Sequence, residues 1–154
     1  MLLHGYQAAD LDAMHALDVL CFERPFRFTR SAMRRFAEAK NARVIIAKES
    51  GALVGFVILH LEDIDDGKVG YIVTLDVAPA QRRRGIARQL MHEVEEGARR
   101  EGCSALVLHV FTGNESAVRF YAGIGFTRSH TEAKFYGPGR DAWVLHKLLP
   151  AIDH

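Results

Sequence analysis

Apolar and polar positions along the chain follow two rhythms, one of about 3.6 residues and one of two, and the switches between them mark the elements. Leu2 to Tyr6 reads as a short strand. Leu11, Met14, Leu17 and Cys21 then recur at helical spacing behind Asp10, a suitable cap, and Thr29 can cap a second helix carrying Met33, Phe36 and Ala37. Val44–Ala47 and Leu53–Leu61 are β-rich runs joined across Glu49-Ser50-Gly51, the composition of a hairpin. An acidic turn over Asp63–Lys68 precedes a strand at Tyr71–Val77, which Pro79 stops because proline has no N–H for the sheet ladder. Ile86, Leu90, Met91, Val94 and Ala98 share one face of a helix that Gly102 ends. Ala105–Phe111 is almost continuously apolar, as a strand covered on both faces must be. Asn114 caps a helix reaching Ile124, and Gly125 ends it. Phe126–Phe135 and Ala142–Leu148 complete the β content across Gly137-Pro138-Gly139.

The resulting order, β-α-α-β-β-β-α-β-α-β-β, is an α/β layout with a mixed sheet. No repeat, linker or compositional shift divides residues 1–154, so a single domain is expected. Hydrophobic residues at 49% suffice for a core and argue against disorder. A net charge of +1 argues against a protein that coats nucleic acid or an anionic membrane. Cys21 and Cys103 form neither a metal spacing nor a disulfide framework, which points to a reducing cytoplasm. The first residues lack a signal peptide's basic stretch, and no window has the apolar length of a membrane span. A soluble cytoplasmic monomer or homodimer is therefore expected.

The basic cluster carries the first candidate chemistry. An apolar strand ends before Pro79, Arg82, Arg83 and Arg84 follow, and a helix opens at Gly85. Backbone N–H groups and a positive helix end then converge with forked guanidinium donors, an arrangement suited to phosphate. Gly85 has no Cβ to obstruct a ligand. The same residues also suit a solvated basic turn, and three successive arginines cannot all point inward. His109 in its apolar strand is either a satisfied core histidine or a base. Asn114 is an ordinary helix cap, and Tyr121 at helical spacing from Ala117 is compatible with core packing alone.

Two motifs resemble those of the GNAT acetyltransferases. Arg82-x-x-Gly85-x-Ala87 is similar to the family's pyrophosphate-binding turn, Arg/Gln-x-x-Gly-x-Gly/Ala. Leu108–Phe126, with Asn114, Ala117, Tyr121 and Gly125-Phe126, resembles its second acetyl-CoA motif. The resemblance covers essentially the whole chain. It implies a single GNAT-type domain, with a central mixed, mostly antiparallel twisted sheet of six to seven strands flanked by about four helices. It implies acetyl-CoA as co-substrate, no metal, and cofactor contacts at Leu75, Val77, Arg82, Arg83, Arg84, Gly85, Ile86, Ala87, Asn114, Ser116 and Tyr121.

Within that superfamily the chain is similar to RimI-like and NatE-type protein N-terminal acetyltransferases. RimI-like enzymes carry Glu where this strand has His109. The NatE-type pattern matches at Tyr71-Ile72-Val73-Thr74-Leu75, at Leu108-His109-Val110 and at Asn114-Glu115-Ser116-Ala117. The match implies that Tyr71 and His109 act on the attacking amine and that Tyr121 protonates the leaving thiolate. An α-amine, with a pKa of about 7.7–8.0, needs only a mild base, and histidine at about 6.5 fits better than tyrosine at about 10. Glu62 is the alternative base, or simply an exposed strand-end carboxylate. A backbone N–H at the end of the Tyr71–Val77 strand is the expected oxyanion donor.

The family places the acceptor between the loop Cys21–Phe28 and the turn Lys134–Arg140, with Phe22, Pro25, Phe26 and Tyr136 as its wall. The chain departs from the family there. Phe135-Tyr136 stands where paired tyrosines are usual, Gly137-Pro138-Gly139 is its own, and Arg24 and Arg27 make the entrance basic. The aromatic loop also suits plain packing over the sheet edge.

An acetyl-CoA-dependent transferase acting on a peptide or protein α-amine is thus the leading expectation. A small-amine acetyltransferase and a non-catalytic acetyl-CoA-binding module are the alternatives. There is no Gly-Lys-Ser/Thr ending for a P-loop, and His92-Glu93 lacks the second histidine of a helix-borne zinc pair. No groove-reading motif suggests a nucleic acid partner.

Overall fold

A computed structural model describes residues 1–82 and 84–151. Strand β1 (Leu2–Gly5) leads to helices α1 (Leu11–Cys21) and α2 (Arg30–Ala37). Strands β2 (Ala42–Glu49), β3 (Ala52–Ile64) and β4 (Gly67–Val77) follow, then α3 (Ile86–Arg100), β5 (Ala105–Phe111), α4 (Glu115–Gly123), β6 (Thr127–Glu132) and β7 (Ala142–Leu148). The seven strands form one sheet in the order β1-β2-β3-β4-β5-β7-β6. Every pairing is antiparallel except β4 with β5.

Local chemistry accounts for the elements. The Thr29 hydroxyl accepts the Ala32 N–H at 3.0 Å, and Asn114 Oδ1 accepts that of Ala117 at 3.2 Å, so both helices begin on a side-chain cap. Ser50 and Gly51 take φ of 50° and 81°, the two left-handed residues that close a tight hairpin. β3 is apolar and buried from Val54 to Leu59 because both of its faces are covered there. Its Phe56 and Ile58 pack with α1 and α2, while Val57 and Leu59 pack under α3 and α4. The apolar stripe of α3, from Ile86 to Ala98, supplies that second layer.

Two irregularities shape the middle of the sheet. Ile58 pairs with Thr74 but Leu59 pairs with Ile72, so β4 carries one extra residue, Val73. Tyr71 and Val73, then Thr74 and Asp76, consequently turn toward α1 and α2, and Ile72, Leu75 and Val77 turn toward α3. The parallel β4–β5 pairing spans only Gly70–Ile72 against Leu106–Leu108. Beyond it the two strands run on without bonding each other and open a wedge at the centre of the sheet.

Several boundaries differ from expectation. The acidic turn is tighter than Asp63–Lys68, because β3 extends to Ile64 and β4 starts at Gly67. The first strand stops at Gly5. β6 starts after Phe126, whose ring sinks into the core behind the Gly125 turn, and ends at Glu132 rather than Phe135. Lys134, at φ 58° with its N–H on Asp141 Oδ1, starts the turn there instead. No described helix is long and apolar enough to cross a membrane.

Candidate active site

The wedge between β4 and β5 is bordered by the basic turn. Gly85 has φ 80° and ψ 5°, and a Cβ added there would meet nothing within 4 Å, so the mouth of α3 is open to a ligand. Among the described residues no side-chain cap bonds the start of α3, which leaves its N–H groups available. Ile86 buries its side chain in the core and Ala87 packs against it, so both offer a ligand only their backbones. The same holds for Leu75 and Val77, whose side chains lie on the α3 face while the strand's edge is free of β5.

The arginines divide. Arg82 is exposed, yet close enough to Cys21 and Asp76 to act on both electrostatically. Arg84 turns outward, donating to Gln81 Oε1 and lying 3.5 Å from Glu49 Oε2, so its guanidinium is engaged away from the wedge. Arg83 lies outside the described residues. On the other side, Asn114 Oδ1 holds the start of α4, and the exposed Ser116 donates to it at 3.3 Å. Tyr121 is buried with its ring against Phe120 and Phe126; burial, then the Asp76 charge, pushes its phenol well above the ordinary range.

On the α1–α2 face of the sheet, Tyr71 and His109 meet. The Tyr71 hydroxyl lies 2.7 Å from His109 Nδ1, and burial, with a contribution from Glu132, raises the phenol to about 12. Phe135 stacks flat on the imidazole at 3.9 Å and 5°. Phe26, Phe111 and Tyr136 extend the wall, with Phe26 5.0 Å from Phe111 and 5.1 Å from Tyr136. Burial, then Tyr71, drives the Tyr136 phenol upward as well.

Two of the expected wall residues stand outside this cluster of aromatic pairs. Pro25 is exposed in a one-turn helix, and Phe22 makes no ring contact among the described aromatics. Glu62 is exposed and pairs with Val69, beyond the His60–Tyr71 rung. The carboxylate beside His109 is instead Glu132, with Oε2 3.2 Å from Nε2. Sequence reasoning missed Glu132, Phe111 and Phe135. β6 is exposed at all its positions, so it carries no alternation to single out Glu132. Only its rung opposite Ala142, next to the Val144–His109 rung, brings it there.

Beneath the loop lies a buried acid pair. Asp18 and Asp76 are 0% and 1% exposed. Asp18 Oδ2 accepts the Phe28 N–H at 2.9 Å, and the Thr74 hydroxyl donates to Asp76 Oδ1. Asp18 Oδ1 and Asp76 Oδ2 have no donor among the described groups. Burial, then Asp18, pushes the Asp76 carboxyl well above the carboxylate range. Cys21 donates to Val77 O at 3.3 Å, and burial raises its thiol to about 11. His92, Glu95 and Glu96 cluster on α3, but Lys147 at 2.6 Å and Arg99 at 3.2 Å already hold the two carboxylates.

Residues 11–126 match the Acetyltransferase (GNAT) family. The N-alpha-acetyltransferase MAK3 of Arabidopsis thaliana is 30% identical over 105 residues, covering 68% of this chain and 55% of its own length. The chain therefore spans about half of that relative. Among solved structures, Arabidopsis thaliana Naa50 in complex with the bisubstrate analogue CoA-Ac-MVNAL superposes with a TM-score of 0.81 at 26% identity, covering 96% of this chain and 98% of that one. The Escherichia coli ribosomal-protein-S18-alanine N-acetyltransferase shares the fold, with a TM-score of 0.85 at 17% identity over 99% of this chain and 96% of that one.

Proposed function

The chain belongs to the GNAT acetyltransferase family, and from that premise we propose that it transfers acetyl from acetyl-CoA directly to the α-amine of a peptide or protein N-terminus. The observation that carries this reading is the Tyr71–His109 pair on the sheet face beside the β4–β5 wedge, walled by Phe26, Phe111, Phe135 and Tyr136. Naa50, which aligns over nearly its whole length, binds a CoA–peptide conjugate, and the MAK3 relative bears an N-alpha-acetyltransferase name.

The residues present fit acetyl-CoA. The open mouth at Gly85 and the uncapped start of α3 suit pyrophosphate, with Arg82 beside them. The free edge of Leu75–Val77 suits the pantetheine amides, with Asn114 and Ser116 across the wedge. Acetyl-CoA supplies a thioester carbonyl and a thiolate leaving group. His109 takes the amine proton by way of Tyr71, since a free α-amine is the nucleophile and its pKa is about 7.7–8.0. Val73, left out of the β3–β4 ladder by the bulge, supplies a backbone N–H for the developing oxyanion. Tyr121, protonated throughout the working range, serves as the acid for the thiolate. Neither cysteine takes part, and two free thiols suit a reducing, cytoplasmic setting.

The test is acetyl transfer from acetyl-CoA to free peptides, α-blocked lysine peptides and small amines, read by mass. Modification of the free α-amine alone is expected. Modification confined to lysine side chains or to small amines refutes the assignment.

A further inference from the structure

We propose that Glu132 is a positioning residue for this reaction: lying against Nε2, it holds the His109 imidazole with its proton there, so that Nδ1 draws the amine proton through the Tyr71 hydroxyl. The inference rests on the reading of Tyr71 and His109 as the amine-activating pair.

Three contacts occupy both imidazole nitrogens and one ring face. Nδ1 is 2.7 Å from the Tyr71 oxygen. Nε2 is sealed from solvent, with Glu132 Oε2 at 3.2 Å as its ion-pair neighbour, short of the alignment of a formed hydrogen bond. Phe135 covers one ring face. An incoming amine therefore has no direct route to either nitrogen, and the exchangeable group it can meet is the Tyr71 hydroxyl.

The carboxylate decides which nitrogen carries the proton. With the proton on Nδ1, the Nε2 lone pair would point toward a negative carboxylate 3.2 Å away. With the proton on Nε2, the N–H dipole faces the carboxylate, and the Nδ1 lone pair accepts the Tyr71 O–H. The Tyr71 oxygen then keeps its own lone pairs for the amine. Transfer breaks one N–H bond of the ammonium and forms an O–H bond at Tyr71, while the original Tyr71 O–H breaks and its proton goes to Nδ1. The products are a neutral amine, a neutral Tyr71 and an imidazolium facing Glu132. A phenol raised to about 12 does not need to part with its proton first.

Nothing structural requires Glu132 at this position. Every β6 residue is exposed, and the Glu132 side chain remains 46% accessible beside the imidazole. The titratable groups facing His109 are Tyr71 from β4, Glu132 from β6 with His130 Nε2 3.8 Å from its other oxygen, and Tyr136 from the following turn. The β7 neighbour is the apolar Val144.

The test compares the intact chain with its Glu132→Gln and His109→Ala variants. Imidazole 15N shifts are expected to report the Nε2–H form of His109 in the parent. Glutamine removes the charge, so the acid limb of kcat/KM between about pH 5.5 and 9 moves to lower pH, and kcat falls about ten-fold with the peptide KM unchanged. An acid limb that stays in place in Glu132→Gln, or a parent imidazole protonated on Nδ1 alone, overturns the proposal. Full activity in His109→Ala refutes instead the amine-activating pair beneath it, and the 15N measurement reads the imidazole whether or not transfer occurs.

Discussion

Replacing Asp18 by asparagine reaches the loop through the acid pair that anchors it. In the parent, Asp18 Oδ1 and Asp76 Oδ2 lie buried without a donor, and the Asp76 carboxyl is held well above its ordinary range, first by burial and then by Asp18. A carboxyl whose pKa is raised on folding contributes its full stability below the unfolded value of about 3.9 and loses it as pH rises through the folded value. The parent therefore weakens as pH rises from acid and the Asp76 proton leaves. Asparagine keeps an oxygen for the Phe28 N–H and replaces the repelling neighbour with an N–H donor to Asp76. A hydrogen bond to a charged group is worth about 1.5–3 kcal/mol, the stabilisation expected of Asp18→Asn near pH 8. At about 2–4 °C per kcal/mol for a chain of this size, Tm should rise by about 3–12 °C. The gain should shrink toward acid pH, where Asp76 keeps its proton in the parent. Asp18→Ala should instead cost about 1–3 kcal/mol at every pH, because the Phe28 N–H loses its acceptor. Urea unfolding at three pH values checks all of this. A difference between parent and Asp18→Asn that is the same at every pH, or a less stable variant at pH 8, refutes the raised Asp76 carboxyl.

Three further outcomes follow from the same geometry. Tyr71→Phe should lower kcat by about ten- to a hundred-fold with little change in peptide KM, and the parent should show no Tyr71-linked loss of rate well below the phenol's value of about 12, as steady-state kinetics over pH will reveal. Gly70→Ala brings a Cβ within 2.8 Å of Leu59 Cδ1 and 2.9 Å of Leu106 Cδ2 where β4 and β5 still pair; a loss of about 1–3 kcal/mol by urea unfolding is expected, and an unchanged midpoint would mean that junction can relax. Cys21, raised to about 11, and buried Cys103 should resist iodoacetamide at pH 8 in the native protein, and the Cys21→Ala/Cys103→Ala double variant should keep its transfer rate if acetyl passes directly to the amine.

The chain's own patterns determined whatever is settled within a few residues. The caps at Thr29 and Asn114, the Ser50-Gly51 hairpin, the apolar stripe of α3 and the left-handed Gly85 before it each depend on neighbours in sequence. β5 and β7 were legible to the residue, because apolar runs between bounding turns frame them on both sides. Tyr71 and His109 are 38 residues apart, and only the family's motifs joined them before the fold did.

Tertiary structure decided how those pieces face one another. The extra residue at Val73 exists only relative to the register of β3, since a strand read alone cannot say which residue lacks a partner. The wedge is a failure of two strands to keep pairing, and no window of sequence contains both. Glu132 sits on a strand with no buried face, so its approach to His109 is written in the β6–β7–β5 ladder rather than in its neighbours. The outward turn of Arg84 toward Glu49 and the exposure of Pro25 depend likewise on what packs beside them. Local backbone preferences act over one or two turns. The surroundings of a charge or an aromatic ring come from residues that only the closed sheet brings near.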